Sequence, residues 1–199
     1  FWSLILTPDD TADHWYRENY FYEGQIVSAG LPRTDSLLAA NAQERRRAVR
    51  KRLGIGVDQI AVLHATTWRE DRSAGNNTSA DPGFLDVASL AKELGPSHLV
   101  LQRSHHSVAR SETARMEAAG VLNVTDYPEI NDLILASDVA ILDYSSLRFE
   151  VALANVPMVF FVPDLDDYEG TLRGFLFDFE ESAPGPLLRD SSRIAQLVR

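Results

Sequence analysis

The feature that most constrains this chain is a repeated alternation of short β-branched or wholly apolar runs with longer stretches of helical period. The runs fall at residues 3–6, 25–29, 60–65, 99–103, 121–125, 139–142 and 157–162. Helical spacing occupies residues 10–20, 34–53, 81–94, 111–119, 130–136, 145–154 and 191–198. Strands separated by helices imply right-handed crossovers, and hence a parallel sheet with helices on both faces. The runs around Ala61, Val139 and Met158 are apolar at consecutive positions, as buried parallel strands require. The expected fold is α/β, a Rossmann-like parallel sheet in which ligands bind beyond the carboxyl ends of the strands. Chemistry is therefore sought just after Ala65, Arg103, Val124, Leu142 and Val162.

A length of 199 residues, 45% of them hydrophobic, suits one sizeable core, and residues 1–199 read as one domain. The formal charge of −10 argues against a nucleic-acid binder, because a phosphate backbone needs a basic surface. The absence of cysteine removes disulfides, thiolate zinc sites and cysteine nucleophiles, so a cytoplasmic setting is the default. The first six residues carry neither an initiating Met nor a basic n-region, and are expected to be cut from a longer protein. Between residues 44 and 52 six positive charges accompany one negative. That window reads as a solvated basic helix face or as a contact for anionic lipid or a polyanionic product.

At the strand ends, Asp143-Tyr144-Ser145-Ser146 runs directly into a helix. Hydroxyls beside unpaired N–H groups at a helix start suit a phosphate, although each serine can equally be an N-cap. Glu150 lies one helical turn past Ser146, where it can hold ribose hydroxyls or stand as a surface carboxylate. Arg103 and His105 point to one side of extended chain and can share a phosphate. His105 and His106 make a poor metal site, since adjacent side chains diverge. Ala65-Thr66-Thr67-Trp68-Arg69 closes the third run with hydroxyls and a base. No glycine-rich dinucleotide fingerprint, phosphate loop or Gly-x-Ser-x-Gly elbow occurs, which leaves a nucleotide-diphosphate site without a glycine cradle.

These segments, together with Gly30-Leu31-Pro32-Arg33-Thr34-Asp35, Val124-Thr125-Asp126-Tyr127-Pro128 and Arg173-Gly174-Phe175, give the chain its family likeness. It resembles the CDP-glycerol glycerophosphotransferase family, the teichoic acid polymerases and primases, over nearly its whole length. The resemblance implies the C-terminal, donor-binding half of a GT-B fold. The implied reaction is attack by a polyol-phosphate acceptor hydroxyl on the β-phosphorus of CDP-glycerol or CDP-ribitol, with CMP leaving. It implies that His105, Ser145, Ser146, Thr67 and Arg103 contact the diphosphate, that His105 is a candidate acid or base, and that Glu150 holds ribose. Asp126, Tyr127 and Pro128 would lie near cytosine, and Arg173 near the acceptor. The family's amino-terminal Trp-His-Gly-Thr-like segment, which carries the expected general base, does not occur in these residues, so the piece alone is expected to bind donor without efficient turnover.

No cofactor is implied, and metal dependence is left open. The expected partners are the CDP-polyol, the acceptor and an anionic membrane surface, with a peripheral position on the inner face of the plasma membrane. Two alternatives stand beside this reading: the donor half of a UDP-sugar glycosyltransferase or epimerase, and a non-catalytic nucleotide-binding module.

Overall fold

The computed structural model describes residues 2–66, 85–103, 110–172, 174–175 and 178–199. Six strands pair in parallel: β3 (Ile60–Ala65), β4 (His98–Arg103), β5 (Leu122–Asn123), β6 (Val139–Leu142), β7 (Met158–Phe161) and β8 (Leu187–Leu188). Their order across the sheet is β5-β4-β3-β6-β7-β8. Counted from β3 this is the doubly wound order, in which the chain fills one half outward from β3 and then returns to fill the other from β6. Ala65 at the end of β3 stands opposite both Arg103 of β4 and Leu142 of β6.

Alternation along β3 sends side chains to two separate cores. Ala61, Leu63 and Ala65 pack with α2 (Asp35–Leu38), α3 (Ala42–Arg52), α6 (Ile130–Ala136) and α7 (Leu147–Leu153), through Leu37, Val49, Leu133 and Val151. Val62 faces the other way, onto a core that holds Leu90 of α4 (Val87–Leu94), Met116 of α5 (Arg110–Ala118) and Ile194 of α8 (Ile194–Val198). Leu63, Leu101, Ile141 and Phe160 are fully enclosed, and each such side chain contributes about 1.5–3 kcal/mol relative to exposure.

The first two expected strands do not join this sheet. β1 (Leu4–Thr7) and β2 (Gln25–Ser28) pair with each other, in parallel, across α1 (Ala12–Tyr20). None of the α1 side chains is buried, and Trp2, Tyr20 and Phe21 stand largely in solvent. The expected continuous helix over residues 34–53 is also interrupted. Ala39 is extended, at φ −63° and ψ 146°, and separates α2 from α3. Tertiary bonds outweigh the helical period here: the Asn131 amide donates to the Arg33 carbonyl (2.6 Å) and to Ser36 Oγ (2.9 Å), which pins α2 against α6.

Only part of the basic window is a solvated face: Arg47 and Lys51 are exposed, while other arginines are turned toward partners. Arg46 donates to Asp138 Oδ1 (2.5 Å) and to the carbonyls of Leu135 and Ser137 at the end of α6. Arg50 donates to Asp138 Oδ2 (2.9 Å) and to the carbonyls of Ala136 and Gln59. Arg45 pairs with Asp132, and Arg52 donates to the Tyr127 hydroxyl (3.1 Å). Arg46 and Arg50 thus bind α3 to the carboxyl end of α6, where unpaired carbonyls favour cations, while Arg45 reaches the first turn of α6 and Arg52 the turn before it.

Candidate functional site

Between β3 and β6 the crossovers leave in opposite directions, so no helix covers the strand ends there. A cleft of about 740 Å³ opens at that point. Ala65 at the end of β3 and Thr66 just past it supply its floor, with Arg103 from β4 and Thr125 from the turn after β5. Ser145, Ser146, Leu147 and Glu150 form one wall from the β6–α7 connection, and Arg33, Ser36, Arg45, Glu129, Ile130 and Asn131 close the rest.

Of the residues singled out from sequence, the structure brings Arg103, Ser145, Ser146 and Glu150 together at this cleft. The Ser145 N–H donates to Asp143 Oδ1 (3.1 Å), and Ser145 Oγ accepts from the Leu147 N–H (3.2 Å). Ser145 therefore braces the start of α7, whereas Ser146, the N-cap residue by position, makes no side-chain cap bond and is exposed. Glu150 is not a surface carboxylate. It is buried at 7% exposure, and its Oε1 accepts from Arg33 Nε at 2.8 Å. Arg33 keeps 65% of its side chain exposed, so it reaches Glu150 from the solvent side.

Asp126, Tyr127 and Pro128 occupy the turn beside the cleft and are not among its lining residues. Tyr127 is tied to it indirectly. Arg103 Nη1 donates to the Tyr127 carbonyl (2.8 Å), and the Tyr127 hydroxyl donates to Asp132 Oδ2 (3.0 Å) while accepting from Arg52. Burial, then the bond to Asp132, pushes the Tyr127 phenol above its ordinary value. Thr67, His105 and Arg173 lie outside the described residues, as do Trp68, Arg69 and His106.

Sequence reasoning missed Arg33 and Arg45 as cleft residues, and Asn131 as the support of the Arg33 backbone. Arg33 stood inside a motif already singled out, but its partner lies 117 positions away. Arg45 sat in the basic window, and its pairing with Asp132 spans 87 positions. On the opposite face of the sheet His64 Nδ1 meets Gln102 Oε1 at 2.6 Å. Burial draws the His64 pKa down against the effect of that bond, so the ring is neutral near pH 7. No group of three His, Asp or Glu side chains that could hold a metal ion occurs among the described residues. Nor is any helix among them long and apolar enough to cross a membrane.

The sheet order and the position of the cleft define a doubly wound α/β domain with a ligand crevice at its topological switch point. Over residues 1–199 the chain matches the family described as CDP-glycerol:poly(glycerophosphate) glycerophosphotransferase, and it belongs to that family. It is 32% identical to the teichoic acid poly(glycerol phosphate) polymerase of Bacillus subtilis (strain 168), a match covering 100% of this chain and 26% of that protein. It is 28% identical to the teichoic acid glycerol-phosphate transferase of Staphylococcus aureus (strain NCTC 8325 / PS 47), over 100% of this chain and 51% of that one. The solved structure of the wall teichoic acid polymerase TagF superposes with a TM-score of 0.82 at 29% identity, over 100% of this chain and 49% of that chain. A TagF variant soaked with CDPG gives 0.81 at 28% identity, over 99% and 48%. The chain thus spans about a quarter to a half of the length of these relatives.

Proposed function

We propose that the cleft holds a cytidine diphosphate polyol, CDP-glycerol or CDP-ribitol, and that the protein transfers its polyol phosphate to a polyol-phosphate acceptor with release of CMP, in teichoic-acid-type wall polymer synthesis. The observation that carries this reading is the convergence of Arg33, Arg45 and Arg103 on one cleft at the switch point of a chain whose net charge is −10. A concave site with three guanidinium groups in an otherwise acidic protein suits a diphosphate.

In this reading Arg103 and Ser146 meet the pyrophosphate, with His105 and Thr67 as further contacts. The acceptor hydroxyl attacks the β-phosphorus, the P–O bond to the CMP leaving group breaks, and the guanidinium groups stabilise the charge that gathers on the transferring phosphoryl oxygens. Glu150 holds ribose hydroxyls through the oxygen not taken by Arg33. Asp126, Tyr127 and Pro128 shape the cytosine end, and Arg173 meets the acceptor. Removal of the acceptor proton is assigned to no residue here, so these 199 residues are read as the donor-binding unit. Residues 1–199 are kept as one such unit because the bonds from Arg33 and from its carbonyl tie the segment after β2 to α6 and α7.

Calorimetric titration with CDP-glycerol, CDP-ribitol, UDP-glucose and CMP tests the reading. Selective binding of the cytidine diphosphates is expected. Preference for UDP-glucose, or no binding at all, would overturn it.

A further inference from the structure

The three arginines of the cleft come from separate elements: Arg33 follows β2, Arg45 belongs to α3 and Arg103 ends β4. An unheld guanidinium sweeps a wide volume, and fixing it on a ligand costs rotamer entropy. Here each of the three is held. Glu150 accepts from Arg33 Nε at 2.8 Å, Asp132 Oδ1 accepts from Arg45 Nε, and the Tyr127 carbonyl accepts from Arg103 Nη1 at 2.8 Å. A bond at Nε does not use the terminal nitrogens, which carry most of the N–H donors of the fork.

Two of these restraints meet at one carboxylate. Asp132 lies in the first turn of α6, is 7% exposed and is not among the residues that line the cleft. Its Oδ1 takes Arg45, and its Oδ2 accepts from the Tyr127 hydroxyl at 3.0 Å. That hydroxyl has a single proton, so while it donates to Asp132 it accepts from Arg52 Nη1, at 3.1 Å. Tyr127 carries the restraint on through its backbone. Its N–H donates to the Val124 carbonyl (3.1 Å) and closes the turn, and its own carbonyl receives Arg103. A path from Arg45 through Asp132 and Tyr127 to Arg103 thus connects two cleft guanidiniums from behind the wall. Because the carboxylate offsets the charge of Arg45, what it adds to the site is direction.

We propose that Asp132 is a positioning residue, which holds Arg45 directly and Arg103 through Tyr127 so that the two guanidiniums are set for the two phosphate groups of a diphosphate. The choice of a diphosphate rests on the function proposed above; the arrangement rests on the bonds themselves. Two phosphates joined by one bridging oxygen keep a nearly fixed separation, which a preset pair of forks can match. A single phosphate needs only one fork and gains little from the spacing of two.

The test is calorimetric titration of the protein and its variants with CDP-glycerol, inorganic pyrophosphate and CMP. Asp132→Asn keeps an acceptor for Arg45 but lacks a second anionic oxygen for the Tyr127 hydroxyl. It is expected to weaken CDP-glycerol and pyrophosphate by about tenfold or more, and CMP by less than about threefold. Tyr127→Phe removes the hydroxyl alone and is expected to weaken the two diphosphates by about threefold or more, which keeps the proposal testable should D132N fold poorly. The double variant is expected to bind the diphosphates within about twofold of D132N, since both substitutions cut one path. The ratio of diphosphate to CMP affinity is the readout that a general loss of packing leaves unchanged. Equal weakening of CMP and the diphosphates, unchanged diphosphate affinity in both single variants, or independent, multiplying losses in the double variant would each overturn the proposal. If pyrophosphate binds and D132N weakens it while CDP-glycerol does not bind the unsubstituted protein, the donor reading falls and the positioning role stands. If neither diphosphate binds, both fall.

Discussion

Arg33 Nε and Glu150 Oε1 lie 2.8 Å apart although 117 positions separate them in the chain. This bond joins the segment that follows the small two-stranded sheet to the helix that walls the cleft. Arg33→Met would leave a buried carboxylate without its cation. The loss expected is about 1–2 kcal/mol of stability, after discounting for the exposure of the arginine, with weaker CDP-glycerol binding. Urea denaturation and calorimetry on the same variant measure both, and an unchanged midpoint would show that the pair contributes nothing to folding.

The two serines at the start of α7 have different expected effects. Ser145→Ala removes the acceptor for the Leu147 N–H and is expected to cost about 1 kcal/mol. Ser146→Ala removes no cap bond and is expected to change stability by less than about 0.5 kcal/mol while weakening CDP-glycerol. If S146A binds the donor as well as the unsubstituted protein, that hydroxyl has no place in the site.

Asp138 supplies a pH dependence. Burial works to raise its pKa, but the Ala61 N–H, Arg50 and Arg46 act more strongly, and the net value lies below the usual 3.8. A carboxylate depressed on folding contributes stability that is complete above its unfolded value and fades as pH falls through the folded one. Asp138→Asn is therefore expected to be less stable by about 1–2 kcal/mol at pH 7, with the difference closing below about pH 4. Thermal melts of both proteins from pH 7 to pH 2.5 check this, and a constant difference would contradict it.

The inward-turned arginines limit membrane attraction. Arg45, Arg46, Arg50 and Arg52 hold internal partners, which leaves Arg47 and Lys51 of the basic window. At about 1 kcal/mol per surface cation, α3 supplies roughly 2 kcal/mol toward an anionic bilayer. Flotation with phosphatidylglycerol vesicles is expected to show weak, salt-sensitive recovery that Arg47→Gln with Lys51→Gln removes. Strong recovery that survives this double substitution would place the membrane contact elsewhere.

The central strands were legible because burial on both faces leaves an uninterrupted apolar run, as at Ala61-Val62-Leu63 and Val139-Ala140-Ile141-Leu142. Once the parallel order was inferred, the strand-end rule reached Arg103, Ser145, Ser146 and Glu150, all of which line the cleft. The two-residue β8 was not legible, because so short a segment carries no periodicity. The break at Ala39 was equally hidden: the helical spacing runs on through it, and the Asn131 amide that holds α2 lies far along the chain. The basic window misled for a related reason. Its charges are local in sequence, but Asp132, Asp138 and the α6 carbonyls that receive them lie more than 80 positions away.

The floor of the cleft is a strand whose every second residue belongs to a different core, with Leu63 sealed into one and Val62 into the other. Such a strand has no spare position at which a side chain can be exchanged for the sake of a new ligand without loosening one hemisphere of the molecule. In the donor reading proposed above, discrimination between a glycerol and a ribitol donor therefore falls to the rim, at a residue such as Ser146 whose hydroxyl lines the cleft and makes no cap bond.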